Sequence, residues 1–483
     1  MKEQRRWTGL IIVVLVAVAC RASIAAEGTA AGTPSDGPES AWDTLWGKFH
    51  NPTPWLQMGL DFRFRTVYGD NIDTLNTNNA QSRYNFQRYR TRWSTKWVLG
   101  ENVDFNTRLT WEFRTWADPP RKPRETDFDE ALFDHFNITM RNLFGLPLTA
   151  TVGRQDLILG IGWLVLDGTP LDGSRTIFTD SARFTYDWKD RNTKVDMIYV
   201  DNAANSDRWL KPFSDENRAL TEQDERGVIL YVTNKSMEKT QLEGFFIYKN
   251  DKPINGPVSN LSPGVQANWS RKAEIFTVGA AVSGTPAEHW KYRVEGAIQT
   301  GEKASRPSDP LAGAMQDMEA YGALANLEYL FNDELDNSVH IGGEYASGDD
   351  PATSENEQFD LLWAEWPRWS ELYIYSYTHE TMIAESTNLI RFNVGHKFRP
   401  NKQWQICTDY HALWADEDGR SWSGALTFDD RFRGQLLTCW AKYKFSKHVA
   451  GHLLGEYLFP GNFYAAQNDD NAYFLRFNIE YTF

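Results

Sequence analysis

The sequence predicts an all-β fold, a closed transmembrane antiparallel β-barrel of about 18 strands with long external loops and short periplasmic turns. Three observations predict it. Residues 472–483 alternate strictly between two kinds of side chain, one apolar and one mostly polar. Segments of strand length with similar alternation recur from Trp55 onward. The connections between these segments are alternately long and short, which is typical of an antiparallel barrel and has no cause in a soluble sandwich.

The segment 472–483 shows the pattern most clearly, because a strand sends alternate side chains to opposite faces. Its apolar face is formed by Tyr473, Leu475, Phe477, Ile479, Tyr481 and Phe483. Its other face carries Phe474, Arg476, Asn478, Glu480 and Thr482. Taken alone, the segment favours a barrel strand with one face on lipid over the alternative, a terminal strand of a soluble sandwich. We expect it to close the barrel by pairing with the first strand.

The composition agrees with a barrel and excludes a helical membrane protein. Hydrophobic residues make up 41% of the chain. After the N-terminus no apolar run approaches the roughly 20 residues that a membrane helix needs. Aromatic residues nevertheless make up 14%. Barrels use aromatic girdles at both membrane surfaces, but a carbohydrate-binding β-protein has the same composition, so composition does not decide the fold.

The N-terminus reads as a secretory signal. Basic residues precede the apolar run 10–19, which is typical of a signal peptide and too short to span a bilayer. Small residues favour cleavage near Ala25 or Ala26, while Cys20 raises the alternative of a lipoprotein. We expect a signal peptide over 1–26, a periplasmic lead-in over 27–53 with a short helical piece, and a barrel over 54–483.

The alternation predicts the individual strands and leaves one loop of special interest. Strands are expected near 55–68, 84–99, 103–115, 132–141, 147–157, 176–188, 192–201, 226–234, 239–249, 271–284, 288–301, 319–331, 337–347, 387–399, 403–414, 435–445, 448–459 and 472–483. The loop 348–386 is too long to be a mere connection. It is rich in acids and aromatic residues. Either it folds over the mouth or into the lumen, or it is a mobile external loop.

Two cysteines remain after the signal peptide, and parity places them on opposite faces. Cys407 shares the polar face of its predicted strand with Asp409, whereas Cys439 shares an apolar face with Leu437. Side chains on opposite faces of a sheet cannot meet the geometry of a disulfide. We therefore predict neither a disulfide nor a metal site from them.

Although the net charge of the chain is −15, the predicted interior of the barrel is basic. The polar faces of the strands carry more Arg and Lys than Asp and Glu, and the excess acid lies in the loops. Arg88, Arg90 and Arg92 form a ladder with steps of about 7 Å along one strand. A ring of fixed cations in a narrow lumen favours anions. Two interpretations stay open for these side chains: a conducting surface, or an ion-pair network that only fills the barrel.

Catalytic and metal-binding patterns do not emerge from the sequence. No HExxH, GxSxG or P-loop motif occurs. The acids after Asp349 lack the spacing of a calcium loop. His411 with Asp409, and His452 with Glu456, are predicted to face inward, but neither pair has a matched nucleophile. We expect no enzyme activity, no cofactor, no metal and no nucleic-acid partner.

Several short motifs, in this order, resemble the alginate-export family of outer-membrane porins. They are Tyr89-Arg90-Thr91-Arg92, Val152-Gly153-Arg154-Gln155-Asp156-Leu157 with Gly160, Glu295-Gly296-Ala297-Ile298-Gln299-Thr300-Gly301, Gly343-Glu344-Tyr345-Ala346-Ser347-Gly348-Asp349-Asp350, and Glu456-Tyr457 with Pro460-Gly461-Asn462-Phe463-Tyr464. The resemblance covers most of the chain from Trp55. It implies an 18-stranded barrel whose arginine-rich lumen passes a secreted anionic polysaccharide.

The resemblance and the parity together nominate the residues of a substrate conduit. They are Arg63, Arg65, Arg88, Arg90, Arg92, Arg108, Arg114 and Arg154. Arg154 needs a bulge or a strand end, because strict alternation would point it outward together with Val152. The family's long periplasmic plug has no counterpart here, since the corresponding turn is only 446–448.

The leading hypothesis is an outer-membrane channel that exports an anionic exopolysaccharide. Its expected partners are the polysaccharide, outer-membrane lipid and periplasmic export machinery, and we expect a monomeric barrel. The alternative is a nutrient porin that takes up small anionic or sugar-acid solutes. A surface adhesin or structural barrel is a third class, based on the aromatic loops.

Overall fold

The computed structural model describes residues 47–482, except 73, 79–81, 119–128, 168–177, 205–207, 214–222, 255–270, 306–312, 351, 365–366, 379–385, 419–426 and 428–429. The expected signal peptide and most of the expected lead-in lie outside the described residues, as does Phe483. Residues 47–50 form a helical turn just before the barrel.

Twenty strands are described. They are β1 (Leu56–Asp70), β2 (Arg83–Gly100), β3 (Val103–Asp118), β4 (Asp129–Met140), β5 (Leu148–Gln155), β6 (Leu157–Ile158), β7 (Leu166–Asp167), β8 (Thr179–Trp188), β9 (Thr193–Asn202), β10 (Gln223–Asn234), β11 (Thr240–Pro253), β12 (Ala273–Ala287), β13 (Trp290–Ala304), β14 (Met315–Leu330), β15 (Ser338–Ala346), β16 (Leu389–Phe398), β17 (Trp404–Trp414), β18 (Phe432–Lys444), β19 (Val449–Pro460) and β20 (Ala472–Thr482). A short helix spans Glu371–Thr378.

Eighteen of these strands form one closed antiparallel barrel, as predicted; β6 and β7 form a separate two-stranded sheet. Closure is made by β1, which pairs with β2 on one side and with β20 on the other. In the closing pair Arg63 lies opposite Glu480, and Arg65 lies opposite Asn478. The predicted position of 472–483 as the closing strand is therefore confirmed for its described residues.

The two ends of the barrel differ in the length of their connections. At one end the strands are joined by short turns, such as 101–102 between β2 and β3 and 445–448 between β18 and β19. At the other end the connections are long, and two of them contain β6, β7 and the short helix. We call these the short-turn end and the long-loop end. The predicted alternation is confirmed.

The outer surface of the barrel is apolar. Large hydrophobic side chains on one parity of the strands stand 36% to 59% exposed, a range suited to contact with lipid rather than to a packed core. Examples are Phe62, Trp93, Phe276, Ile298, Ile341, Phe392 and Phe477. Among the described residues, no helix has the length and hydrophobicity needed to cross a membrane.

The two cysteines lie as parity predicts. Thr408 and Cys439 are opposite each other on the outward face of β17 and β18, whereas Cys407 is directed inward, where its thiol lies 3.4 Å from the carboxylate of Asp409. They form no disulfide.

Two apolar clusters lie inside the barrel and fix the long loops to opposite parts of the wall. One joins the inward faces of β9–β14 to Leu157, Trp163, Phe359, Leu362 and Trp363 of two loops. The other joins β1, β2 and β16–β20 to Leu372 and Tyr373 of the short helix. Loops that bury apolar side chains in this way are part of the folded interior.

Candidate functional site

Six arginines from three adjacent strands form the most charged part of the interior, which we call the arginine cluster: Arg63, Arg65, Arg88, Arg90, Arg92 and Arg476. They share the inward parity of β1, β2 and β20. Across β1 and β2, Arg63 lies opposite Arg90 and Arg65 opposite Arg88. Like charges placed directly opposite each other destabilise a sheet unless carboxylates stand between them.

Carboxylates of neighbouring strands supply that compensation. Glu112 of β3 is hydrogen-bonded to Arg88 and lies 3.7 Å from Arg63. Asp61 accepts a 2.6 Å hydrogen bond from Arg92 and lies 3.4 Å from Arg90. In this structure the guanidinium groups are therefore paired with carboxylate oxygens of the protein itself.

Most of the cluster is enclosed. Arg63, Arg65 and Arg90 are at most 2% exposed, and Arg92 has the most open side chain of the five on β1 and β2. Buried guanidinium groups need well-placed partners, because leaving one unpaired costs several kcal/mol. The ladder in this conformation is therefore a packed ionic layer and does not line a wide aqueous pore.

Arg108 and Arg114 also face inward, as predicted, but each has its own local role. Arg108 donates to Asp134 at 2.7 Å and forms a bidentate pair of hydrogen bonds with Asp156, at 2.9 and 3.1 Å. Asp134 reaches this position because the β3–β4 register shifts between Arg108 and Leu109. The guanidinium of Arg114 stacks 5.1 Å from the ring centroid of Phe86.

Strand parity does not support the placement of Arg154 in the conduit. Arg154 lies opposite Phe136 and Asp180, on the same outward parity as the exposed Val152. Its guanidinium binds both oxygens of Asp180, at 2.9 and 3.0 Å, and stacks 3.8 Å from the ring of Phe178. No bulge reverses the alternation at this point, so the side chain is buried on the outside of the barrel wall.

The described residues of two loops from the long-loop end lie in the lumen, so the described part of 348–386 folds inward, an alternative that the sequence left open. The first contains β6 and β7 and places Trp163 against Phe359, with ring centroids 5.5 Å apart. The indole of Trp163 donates to Glu344 on β15. In the second, the described residues of 359–373 cross between two parts of the wall, and we call this segment the strap.

The first end of the strap is held by β10, β11 and β13. Asp360 forms a 2.6 Å ion pair with Lys303, and the main chain of Asp360 makes two hydrogen bonds with the side chain of Gln299. Lys249 donates to the carbonyl of Leu362, and the indole of Trp363 donates to Glu225. Burial raises the pKa of Asp360, but Lys303 and Lys249 outweigh it and hold the pKa well below its usual range.

The second end of the strap is held by β19 and β20. The carboxylate of Glu456 accepts hydrogen bonds from the hydroxyl of Ser370 at 2.5 Å and from the main-chain N–H groups of Glu371 and Leu372 at 2.8 and 3.0 Å. A carboxylate at a helix N-terminus is favoured by both the free N–H groups and the helix dipole.

The same end carries a carboxylate into the arginine cluster. Oε2 of Glu371 lies 2.6 Å from a terminal nitrogen of Arg476. Burial raises the pKa of Glu371, yet the nearby Arg476, Arg65 and Arg88 lower it overall. Glu371 is thus held as a carboxylate by the arginines of the wall.

The two histidines singled out in the sequence, His411 and His452, face inward and contact arginines of the barrel wall. His452 accepts a 3.1 Å hydrogen bond from Arg476. His411 is buried beside Arg391, and its ring packs at a tilt against Trp369 of the strap, with ring centroids 5.3 Å apart. Asp409 pairs with His340 at 2.5 Å instead. In the described part of the chain, no group of three or more His, Cys, Asp or Glu is placed to hold a metal.

Sequence reasoning missed the attachment of the strap to Glu456 and Arg476. One signal was present, since Ser370 precedes the short helix as an N-cap and receives the N–H of Tyr373 at 3.1 Å. A cap predicts a helix start, but it does not tell which part of the wall that start contacts.

A closed 18-stranded barrel with an apolar exterior and a charged interior is the architecture of an outer-membrane channel. A family model described as alginate export matches residues 54–477, and the chain belongs to that family. The protein is therefore located in the outer membrane of a Gram-negative type of cell.

Solved porin structures share the fold. Acinetobacter baumannii OccAB1 is 10% identical, with a TM-score of 0.55, and the match covers 90% of this chain and 97% of that one. Acinetobacter baumannii OccAB2 is 10% identical with a TM-score of 0.54, covering 88% and 98%. A BenF-like porin from Pseudomonas fluorescens Pf-5 is 10% identical with a TM-score of 0.53, covering 88% and 98%. No curated protein matches the sequence.

Proposed function

We propose that the protein is a channel that exports an anionic exopolysaccharide of the polyuronate type across the outer membrane, and that it has no catalytic role. The observation that carries the proposal is the arginine cluster on the lumen face of β1, β2 and β20. Membership of the alginate export family supports the same substrate class.

The chemistry of the cluster suits a polymer of sugar acids. An arginine fork pairs with a carboxylate through two parallel hydrogen bonds, which a lysine cannot reproduce. The arginines of β2 recur at every second residue, with a spacing of about 7 Å. A polyanion can therefore exchange one arginine for the next as it advances, without being held at a single tight site.

For export, the polysaccharide must enter the channel from its periplasmic end. The turn 445–448, in the position of the family's long plug, is short, so we propose that this turn does not control entry. Passive export would depend on periplasmic machinery that delivers the polymer, and the strap is the element positioned to close the lumen.

Single-channel recording in planar bilayers tests the proposal. We expect the wild type to select anions and to be blocked by oligouronate. Arg92→Glu should lower the anion-to-cation permeability ratio, because Arg92 has the most accessible side chain of the β2 ladder. A matched control is Arg226→Glu, since Arg226 lies on the outward face of β10, 3.1 Å from Asp201. A cation-selective wild-type pore, or equal effects of both substitutions, would refute the proposal.

One observation favours a second candidate, a porin for the uptake of small anionic solutes. The strap and the loop of Trp163 meet inside the lumen, where the N–H of Trp363 donates to the carbonyl of Leu164 at 3.1 Å. A lumen narrowed in this way suits a small solute better than a polymer chain. Liposome flux distinguishes the two: rapid entry of monouronate with no oligouronate transport favours uptake.

A further inference from the structure

The carboxylate of Glu371 occupies a position that a bound uronate carboxylate would take. It is the strap's own acidic side chain in direct contact with the arginine cluster, through the 2.6 Å contact with Arg476. Arg476 is completely buried in this state, and the side chain of Glu371 is 13% exposed. An incoming anion therefore cannot reach this guanidinium while Glu371 is in place.

Contacts of the neighbouring main chain and side chains determine the direction of this carboxylate. Glu456 binds the main chain on both sides of the Glu371 Cα, through the N–H of Glu371 and the N–H of Leu372. Leu372 and Tyr373 are fully buried in the apolar cluster next to it. The hydrogen bonds to Glu456 thus hold the main chain so that the side chain of Glu371 reaches Arg476 as an intramolecular ligand.

We propose that Glu371 is an internal competitor for the arginine cluster and that it determines the preference of the channel for polyanions over monoanions. This inference rests on the proposed function of the cluster as an anion conduit. A solute must displace Glu371 before it reaches Arg476, and the number of carboxylates it carries decides whether it succeeds.

Effective concentration explains why the number of carboxylates matters. A ligand tethered by a short segment competes at an effective concentration in the millimolar range or above. A monouronate offers one carboxylate and must be present at a comparable concentration. An oligouronate can first bind arginines that do not hold Glu371, such as Arg92, and its next carboxylate then also competes from a tethered position.

The experiment compares block of the ion current by monouronate and by oligouronate in planar bilayers that contain the full-length protein. The wild type should be blocked by oligouronate at much lower concentration than by monouronate. Glu371→Gln keeps the size of the side chain but removes its charge. It should improve monouronate binding by about tenfold, the effect of one charge-assisted hydrogen bond, and narrow the preference accordingly.

Two further variants separate competition from a purely structural role. Glu355→Gln removes the same charge from an exposed position of the same loop and should behave as the wild type. Glu371→Asp keeps the charge on a shorter side chain and should retain the preference. If Glu371→Asp changes the preference and the isosteric Glu371→Gln does not, Glu371 acts by filling space and the inference is overturned.

The outcomes also separate this inference from the proposed function. An anion-selective pore in which Glu371→Gln leaves both blocking constants unchanged overturns the competitor role and leaves the arginine conduit intact. A pore that is cation-selective in the wild type overturns both. A tenfold gain for monouronate in the Gln variant alone supports both.

Discussion

The two ends of the strap are attached to the wall by different physical means. The first end buries Phe359, Leu361, Leu362 and Trp363, and it also holds the Asp360–Lys303 ion pair. The second end buries only Leu372 and Tyr373 completely and depends on hydrogen bonds to Glu456. Each buried large apolar side chain contributes about 1.5–3 kcal/mol, so the first end is the more firmly attached.

This difference in apolar burial indicates that the first end is the hinge and that the second end is the one released on opening. A segment that opens locally does so where the fewest apolar contacts must be broken. The second end, which also carries Glu371, should release first, while the first end stays attached to β10–β13. Opening would then uncover Arg476 and its neighbours and leave the Trp363 contacts unchanged.

The largest expected effect comes from Glu456→Gln. The substitution replaces one of the two acceptor oxygens that three donors share with an NH2 group, and leaving a buried donor unsatisfied costs about 1–3 kcal/mol. The open probability of the channel should therefore rise by about tenfold or more. Single-channel recording measures it directly.

Trypsin gives an independent measurement of the same release. Arg368 lies two residues before Ser370 and is exposed, so cleavage after it should accelerate in parallel with opening. A matched control is Glu328→Gln, because Glu328 faces the lumen but pairs with Lys397 at 2.7 Å, away from the strap. Equal effects of the two substitutions would show that the second end is not attached through Glu456.

A smaller effect is expected from Ser370→Ala. The hydroxyl of Ser370 both caps the short helix, by accepting the N–H of Tyr373, and donates to Glu456. Loss of an N-cap costs about 0.5–2 kcal/mol. Open probability should rise by about fivefold, less than in Glu456→Gln, since the two main-chain bonds to Glu456 remain. An effect larger than that of Glu456→Gln would reverse this order and contradict the assigned roles.

The sequence predicts those features of the fold and the site that depend on neighbouring residues, and it does not predict contacts between residues far apart in the chain. Strand number, closure by β1 and β20, and the inward parity of Arg63 or Arg90 depend on alternation, which is local and repeats along the chain. The same rule applied to Arg154 gives the right answer, and only the motif led to its placement in the conduit. Its actual partners are Asp180 of the neighbouring strand β8 and Phe178, which directly precedes that strand.

The strap lies beyond such rules because its contacts join residues far apart in the chain. Asp360 meets Lys303, and Glu371 meets Arg476 from more than a hundred residues away. Composition marked 348–386 as unusual, but no periodicity tells whether a loop folds inward or outward. Only the closed barrel, which brings β13 and β20 to different sides of one lumen, defines where its acids can bind.

The smallest expected effect on opening comes from Asp360→Asn, although it breaks the closest ion pair of the strap. Removing one partner of a buried pair costs about 3–5 kcal/mol. That loss falls on the end that also buries Phe359, Leu362 and Trp363, so the end stays attached. Open probability should change by less than about threefold, while the thermal stability of the barrel falls. If Asp360→Asn instead opens the channel more than Glu456→Gln does, the hinge is at the β19–β20 end and the asymmetry inferred from apolar burial is reversed.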